Sequence, residues 1–242
     1  MTNLICEIAG PGDLRQLHRD YPARYPFLLQ STAPGGSLGR YDILFAYPGE
    51  TLVAGDGPCF LEALDERWRA LQVAEQDVDL PFRGGWFLYL GYELAAEIEP
   101  ALALAQDTVL PAAFAVRCPT ALIYDHEAAV CHLVSETPEC IYREQLLTDI
   151  DALDRNRPVK SARVLSVTEE DPVTFTDAVL RAKEYISAGD VYQANLSRQW
   201  SAEVAPGIEA CDIYAALCES NPGPFAGMAR WQDLEIISSS PE

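Results

Sequence analysis

The residues with the clearest potential for chemistry lie near the carboxyl-terminal end of the chain. Residues 191–200 alternate between apolar and polar side chains, and the polar ones include Gln193 and Asn195. Because successive side chains of a strand point to opposite faces, this pattern predicts a strand whose amide-bearing face lines a polar site. Glu242 is the third candidate, since a carboxyl group with a raised pKa can act as a general acid. Taken alone, the two amides also fit a solvated strand face, and Glu242 an exposed terminus.

Apolar runs predict the strands that would support such a site. Residues 113–116 and 121–124 are expected to pair with each other, and residues 225–230 and 234–239 to form a hairpin. Helical spacing predicts helices over residues 59–71, 141–153 and 211–218.

One further helix has recognisable ends. Thr174 and Asp177 have the spacing of a capping box, and Gly189 is placed to end the helix in a left-handed conformation. The polar, proline-containing segment before this helix predicts three regions: residues 1–153, a linker over 154–170, and residues 171–242.

Composition excludes several classes of function. The 242 residues include 37 acidic and 17 basic side chains, a formal net charge of -20, which disfavours binding to nucleic acid or to anionic membranes. Seven irregularly spaced cysteines without a CxxC pair, and three histidines in no ligand pattern, predict no metal site within this chain. The cysteines, with no apparent signal peptide or membrane span, predict a cytoplasmic protein.

Five segments, in order, resemble the motifs of chorismate-utilising enzymes. The resemblance is to component I of aminodeoxychorismate synthase and to its sister, component I of anthranilate synthase. The segments are PFLLQS (26–31) with GRYDI (39–43), GGWFLYLGYEL (84–94), AGDVYQANLSRQW (188–200), NPGPFAG (221–227) and IISSSPE (236–242).

Two details favour the aminodeoxychorismate branch of this family. The form YQANL is closer to that branch, whereas anthranilate synthases tend toward FQxV. Anthranilate synthases also favour LLES, in which the glutamate helps to bind tryptophan, and this chain has Gln30 at that position. Anthranilate synthase component I remains the alternative, and a non-catalytic tryptophan- or partner-binding module is an alternative of another class.

The resemblance implies an α+β fold, an antiparallel β-sandwich with outer helices. It also implies a transferase that converts chorismate and ammonia to 4-amino-4-deoxychorismate, on the route to p-aminobenzoate and folate. A partner glutamine amidotransferase would supply the ammonia, Glu242 would be the catalytic acid, and Gln193 and Asn195 would line the substrate site. Mg²⁺ is expected in the full-length enzyme, with ligands outside this chain.

The resemblance further implies a tryptophan pocket formed by residues from both ends of the chain. The implied residues are Ser31, Leu38, Gly39, Arg40, Tyr41, Pro224, Phe225 and Ala226. Gln30 in place of glutamate weakens the recognition of an ammonium group, and a packed seam between two sheet layers is the alternative interpretation.

The end of the sequence carries its own expectation. The lysine motif that follows SPE in this family is absent after Glu242. We therefore expect the 242 residues to be a truncated form that lacks the catalytic carboxyl-terminal half, and to have no synthase activity alone.

Overall fold

The computed structural model describes residues 4–10, 12–32, 39–57, 59–71, 79–102, 104, 109–154 and 156–240. These residues fall into two compact units. One lies within Met1–Arg157 and Leu217–Glu242, and the other spans Pro158–Ala216.

Twelve strands form three antiparallel sheets within the described residues. In chain order they are β1 (Leu4–Ile8), β2 (Phe27–Gln30), β3 (Tyr41–Ala46), β4 (Thr51–Val53), β5 (Gly85–Leu90), β6 (Ala113–Cys118), β7 (Thr120–Asp125), β8 (Val130–Ser135), β9 (Val164–Glu169), β10 (Trp200–Val204), β11 (Phe225–Trp231) and β12 (Leu234–Ser240). The first unit contains a seven-stranded sheet in the order β1-β8-β7-β3-β2-β11-β12 and a three-stranded sheet in the order β4-β6-β5. Strands β9 and β10 pair in the second unit.

Aromatic side chains join the two sheets of the first unit into a sandwich. Phe27 and Phe45 of the larger sheet share a core cluster with Phe114 of the smaller sheet. Phe27 stacks on Phe87 with ring centroids 3.9 Å apart, and Phe114 stacks on Trp231 at 4.0 Å. Such stacked pairs add stability beyond the burial of their area. The predicted antiparallel β-sandwich with helices is confirmed.

The described helices are α1 (Leu14–Asp20), α2 (Phe60–Ala70), α3 (Ala95–Ile98), α4 (Arg143–Asp151), α5 (Pro172–Ala188) and α6 (Ala210–Ser220), with a 3-10 turn at Tyr92–Leu94. Helix α5 begins earlier than the capping-box prediction. The side chain of Asp171 accepts a hydrogen bond from the Val173 N–H at 3.0 Å, so Asp171, not Thr174, is the cap. Pro172 occupies the first turn, where its fixed φ suits a helix and its missing N–H costs nothing. Gly189 ends the helix at φ 83°, as predicted.

The prediction that residues 113–116 pair with residues 121–124 is wrong. Strand β6 pairs with β4 and β5, whereas β7 pairs with β3 and β8 in the other sheet. Only Pro119 separates β6 from β7, and one residue is too short for a hairpin turn. The chain therefore passes from one layer of the sandwich to the other at this proline.

The segment predicted as a linker contains regular structure. Strand β9 (Val164–Glu169) lies within it. The first of the two chain segments that form the first unit ends at Arg157, inside the same predicted linker. The chain also returns to the first unit at Leu217, within the region predicted as residues 171–242. None of the helices in the described part of the chain has the length and apolar character needed to cross a bilayer.

Candidate functional site

A cavity of about 390 Å³ opens on the seven-stranded sheet, within the first unit. Strands β2, β3, β11 and β12 all contribute to its lining. The apolar lining residues are Leu29, Ile43, Pro81, Pro224, Phe225, Ala226 and Gly227, and the polar ones are Gln30, Arg40, Tyr41 and Ser238. Its volume lies in the range of small-molecule sites.

Strand pairing brings the two distant parts of the sequence together at this cavity. Ala226 of β11 lies directly opposite Gln30 of β2, and Gly227 lies opposite Leu29. A Cβ at Gly227 would meet the carbonyl oxygen of Leu28 at 3.0 Å, so glycine permits this close approach. The Thr32 N–H donates to the Gly223 carbonyl at 2.9 Å, which fixes the turn before Pro224.

Asp42 organises the polar end of the cavity. Its carboxylate accepts hydrogen bonds from Gln30 Nε2 at 2.8 Å and from the Ser31 N–H at 3.1 Å. His126 Nε2 lies 3.1 Å from the same carboxylate. Because Asp42 is only 6% exposed, these contacts replace the water that a carboxylate otherwise requires.

Arg40 is held at the cavity by a second buried carboxylate. Its Nε and Nη2 donate to Asp125 Oδ2 at 3.1 and 2.9 Å, and its Nη1 donates to Asp79 at 3.2 Å. Glu127 lies 3.4 Å from Nε. The hydrogen bond from Arg40 lowers the pKa of Asp125 below its ordinary value. The guanidinium also lies over the Tyr41 ring, 4.7 Å from its centroid.

Tyr41 is fixed through its hydroxyl, which donates to the Asp79 carbonyl oxygen at 3.0 Å. Burial raises the pKa of Tyr41, so the phenol stays neutral near neutral pH. The ring therefore forms an apolar wall of the cavity, and its hydroxyl is already hydrogen-bonded to the Asp79 carbonyl.

Five of the eight residues predicted for a tryptophan pocket line this cavity: Arg40, Tyr41, Pro224, Phe225 and Ala226. Ser31 and Gly39 are not among its lining residues, and Leu38 lies outside the described residues. The Ser31 Oγ is buried and has no hydrogen-bond partner within the described part of the chain. Tryptophan as the ligand stays a prediction.

Sequence reasoning missed Asp42, Asp125 and His126. The available signal was Asp42 itself, a charged residue inside the otherwise apolar run of β3. A buried charge within a strand requires partners, although the sequence does not say which residues supply them.

Gln193 and Asn195 lie in the second unit, and the predicted strand over residues 191–200 is wrong. Residues 191–199 have no strand structure, both amides are exposed, and Gln193 Nε2 donates to Asn195 Oδ1 at 3.2 Å. The physical reason is that a strand needs a neighbour, and β9 pairs instead with Trp200–Val204. Their role in lining a substrate site stays a prediction.

Glu242 lies outside the described residues, which end with β12 at Ser240. No group of three or more His, Cys, Asp or Glu side chains in the described ranges could hold a metal ion. These residues therefore offer no ligand set for Mg²⁺, and the ion enters no step proposed for this chain.

The family profile of chorismate binding enzymes matches residues 25–242, and the chain belongs to this family. It is 32% identical over 230 residues to an anthranilate synthase component I-like protein of Synechocystis sp., an alignment that covers 89% of this chain and 46% of that protein. It is 27% identical over 256 residues to aminodeoxychorismate synthase component 1 of Bacillus subtilis, covering 95% of this chain and 53% of that protein.

The fold has a counterpart among solved structures. Anthranilate synthase component I from Streptococcus pneumoniae TIGR4 superposes with a TM-score of 0.66 at 22% identity, covering 87% of this chain and 52% of that one. The chain thus spans about half the length of the curated relatives it matches.

Proposed function

We propose that this chain is the amino-terminal part of component I of an aminodeoxychorismate synthase. The family match over residues 25–242, which includes the NPGPFAG and IISSSPE segments, carries the coarser assignment to chorismate-utilising enzymes, and the form YQANL with Gln30 favours the aminodeoxychorismate branch. The reaction replaces the 4-hydroxyl of chorismate with the amino group of ammonia and releases water. A partner glutamine amidotransferase would supply the ammonia.

Glu242 would serve as the acid in this reaction. Hydroxide is a poor leaving group, so the 4-oxygen needs a proton as its bond to carbon breaks. In the sequence, Glu242 lies two residues after Ser240, where β12, the edge strand of the large sheet, ends. Gln193 and Asn195 would contribute amide hydrogen bonds to the substrate.

The contact between Gln30 and Asp42 supports the choice between the two sister activities. In the anthranilate branch the residue at this position is typically a glutamate. Here a glutamate would set a second carboxylate against Asp42, where Gln30 Nε2 now lies 2.8 Å from Oδ2. Two like charges at that distance repel strongly when partly buried. The surroundings of residue 30 therefore suit a neutral amide, which supports the aminodeoxychorismate assignment.

Mass spectrometry of the product tests the proposal. The complete gene product would be incubated with chorismate, Mg²⁺ and ¹⁵N-ammonium. We expect chorismate to be converted to a labelled 4-amino-4-deoxychorismate. Labelled anthranilate would support the sister activity instead, and unchanged chorismate would refute both.

Glu242→Gln provides the matching test of the acid. The amide cannot donate the proton, so turnover should fall by about two to four orders of magnitude. Gln16→Glu, a change between the same two residue types on α1, provides a comparison away from the proposed catalytic residues. Normal turnover by Glu242→Gln would contradict the assigned role.

We also propose that the cavity between β3 and β11 is a site for a small aromatic effector. Its apolar walls, its volume of about 390 Å³ and its few fixed polar groups support this.

A further inference from the structure

A second cavity, of about 500 Å³, lies within the first unit between helix α2 and strand β5. Helix α2 contributes Leu61, Leu64 and Trp68 to its lining, and strand β5 contributes Trp86 and Leu88. The three residues of α2 are spaced three and four apart, so they share one face of the helix. The two residues of β5 are two apart and share one face of the strand. The second cavity is therefore the space where these two apolar faces meet.

Packing between the two faces is uneven. Leu64 and Trp86 pack against the buried cluster that contains Phe60. Trp68 and Leu88, by contrast, are 57% and 43% exposed. Apolar surface in contact with water is unfavourable, so a ligand that covers it gains binding free energy. The open part of the second cavity thus presents an indole ring and a leucine side chain to a ligand.

The charge on the wall of the second cavity favours a cation. Asp65 is the one charged side chain among the described residues that line it. Asp65 precedes Trp68 by three residues on α2, so the carboxylate and the indole are neighbours on the helix surface. The face of an indole ring also attracts positive charge. The net charge of -20 on the chain adds a field of the same sign.

Two arginines lie close to this wall, and neither opposes a cation strongly. Arg69 pairs with Asp65 at 3.0 Å, but its side chain is 70% exposed, so the pair is weak and a ligand can replace it. The guanidinium carbon of Arg117 lies 5.7 Å from the centroid of the Trp86 ring. Its charge is balanced by the ion pair with Glu136.

The side chains of the second cavity suit a cation without N–H groups. Apart from Asp65, the described lining side chains are apolar or indole, and an indole N–H donates a hydrogen bond but accepts none. A primary ammonium group would lose hydrogen bonds to water that these side chains cannot replace. A quaternary ammonium ion has no such hydrogen bonds to lose, and its charge is attracted by the face of an indole ring.

We propose that the second cavity binds a quaternary ammonium ion that carries an apolar group. Trp68 and Asp65 would contact the charged end, and Phe82 and Leu88 would contact the apolar group. This site is separate from the proposed reaction, because none of its lining residues has been assigned a role in that reaction.

Calorimetry with two ligands of the same shape tests this inference. In (4-hydroxyphenyl)trimethylammonium the bulky group is centred on a charged nitrogen, whereas in 4-tert-butylphenol it is centred on a neutral carbon. For the 242-residue chain we expect the ammonium compound to bind at least about tenfold more tightly. Equal or tighter binding of 4-tert-butylphenol, or no saturable binding of the ammonium compound, would overturn the proposal.

Trp68→Leu removes the indole and keeps an apolar side chain in the wall. We expect it to lower the affinity for the ammonium compound by about three- to tenfold and to change that for 4-tert-butylphenol much less. Trp200→Leu is the matched control, because Trp200 is 56% exposed and lies in the second unit. The control should leave both affinities unchanged. An unchanged affinity in Trp68→Leu, or an equal loss in the two variants, would contradict the assigned site.

Asp65→Asn tests the carboxylate at nearly constant side-chain size. It should weaken binding of the ammonium compound by about two- to fivefold and leave binding of 4-tert-butylphenol unchanged. Glu50→Gln is the control, because Glu50 also pairs with an arginine of α2, Arg67, at 2.7 Å and is not among the described lining residues.

Both of these variants remove one negative charge from the chain. An equal loss of affinity in Asp65→Asn and Glu50→Gln would assign the preference for a cation to the overall field and would overturn the site. Thermal melting would verify that each variant folds, and Asp65→Asn keeps the test decisive if Trp68→Leu does not fold.

Discussion

At the scale of single residues, two buried aspartates hold polar residues in place at the candidate cavity. Asp42 holds the side chain of Gln30 and the backbone of Ser31, and Asp125 holds the guanidinium of Arg40. Each carboxylate therefore fixes a residue near a possible ligand without lining the cavity itself.

Asp42→Asn tests the first of these contacts. The amide replaces one acceptor oxygen with an N–H₂ group that faces a donor, so we expect unfolding free energy to fall by about 1–3 kcal/mol. Urea denaturation would measure it. Asp65→Asn is the comparison, because the ion pair of Asp65 with Arg69 is exposed and its loss should cost about 0–1 kcal/mol. An equal loss in both variants would argue against the organising role of Asp42.

The contact between Asp125 and Arg40 predicts that the stability of the fold depends on pH. The hydrogen bond with Arg40 lowers the pKa of Asp125 in the folded state. Asp125 therefore binds a proton more readily in the unfolded chain than in the folded one. The contribution of the Arg40 contact to unfolding free energy is complete above the ordinary carboxyl pKa of about 3.9. It is lost as pH falls through the lowered pKa of the folded state.

We therefore expect Asp125→Asn to cost stability at pH 7 but progressively less in acid. The difference in unfolding free energy between parent and variant should shrink from about pH 5 downward. Urea denaturation over this range would measure it. A difference that stayed constant with pH would contradict the ion-pair account.

At the scale of elements, the entry into β5 depends on a glycine that faces the other sheet. Gly84 has φ 107°, and a Cβ there would collide with the side chain of Glu136. Glu136 forms an ion pair with Arg117, which also donates to the Gly85 carbonyl at 2.6 Å. The glycine thus leaves room for the pair that links the strand β6 to the chain just after β8.

Gly84→Ala should lower unfolding free energy by about 1–3 kcal/mol, because it strains the backbone and displaces Glu136. Thermal or urea unfolding would show this. Gly49→Ala is the control, since its Cβ would meet Arg117 at an ordinary 3.7 Å. The explanation fails if the two substitutions have equal effects.

Local patterns predicted strands β6, β7, β11 and β12 and helices α2 and α4 of the first unit, and the structure confirms the hairpin of β11 and β12. These patterns failed where the structure of a segment depends on pairing with a strand elsewhere in the chain. The alternation over residues 191–200 has the period of a strand, yet no described strand pairs with residues 191–199. For the cavity, motif resemblance identified Arg40, Tyr41 and Phe225, but the carboxylate of Asp125 that holds Arg40 depends on a contact made across the sheet.

At the scale of the whole molecule, the charge of -20 opposes compactness and the binding of anions. A dianion such as chorismate would need local cations to overcome this field. Arg40 shows how the fold holds such a cation, with carboxylates that fix the guanidinium in place.

Salt should therefore stabilise the chain. Raising ionic strength from about 0.05 to 0.5 M shortens the Debye length and screens repulsion among the acidic side chains. We expect the Tm to rise with NaCl, as measured by circular dichroism at constant pH. A Tm that fell would mean that the ion pairs of the chain outweigh its net repulsion.

Pyruvate formation by the complete gene product distinguishes the proposed reaction from that of the sister enzyme. Aminodeoxychorismate synthesis retains the enolpyruvyl group, whereas anthranilate synthesis releases it as pyruvate. With chorismate, ammonium and Mg²⁺, we expect chorismate to be consumed without release of pyruvate. One pyruvate released for each chorismate consumed would contradict it.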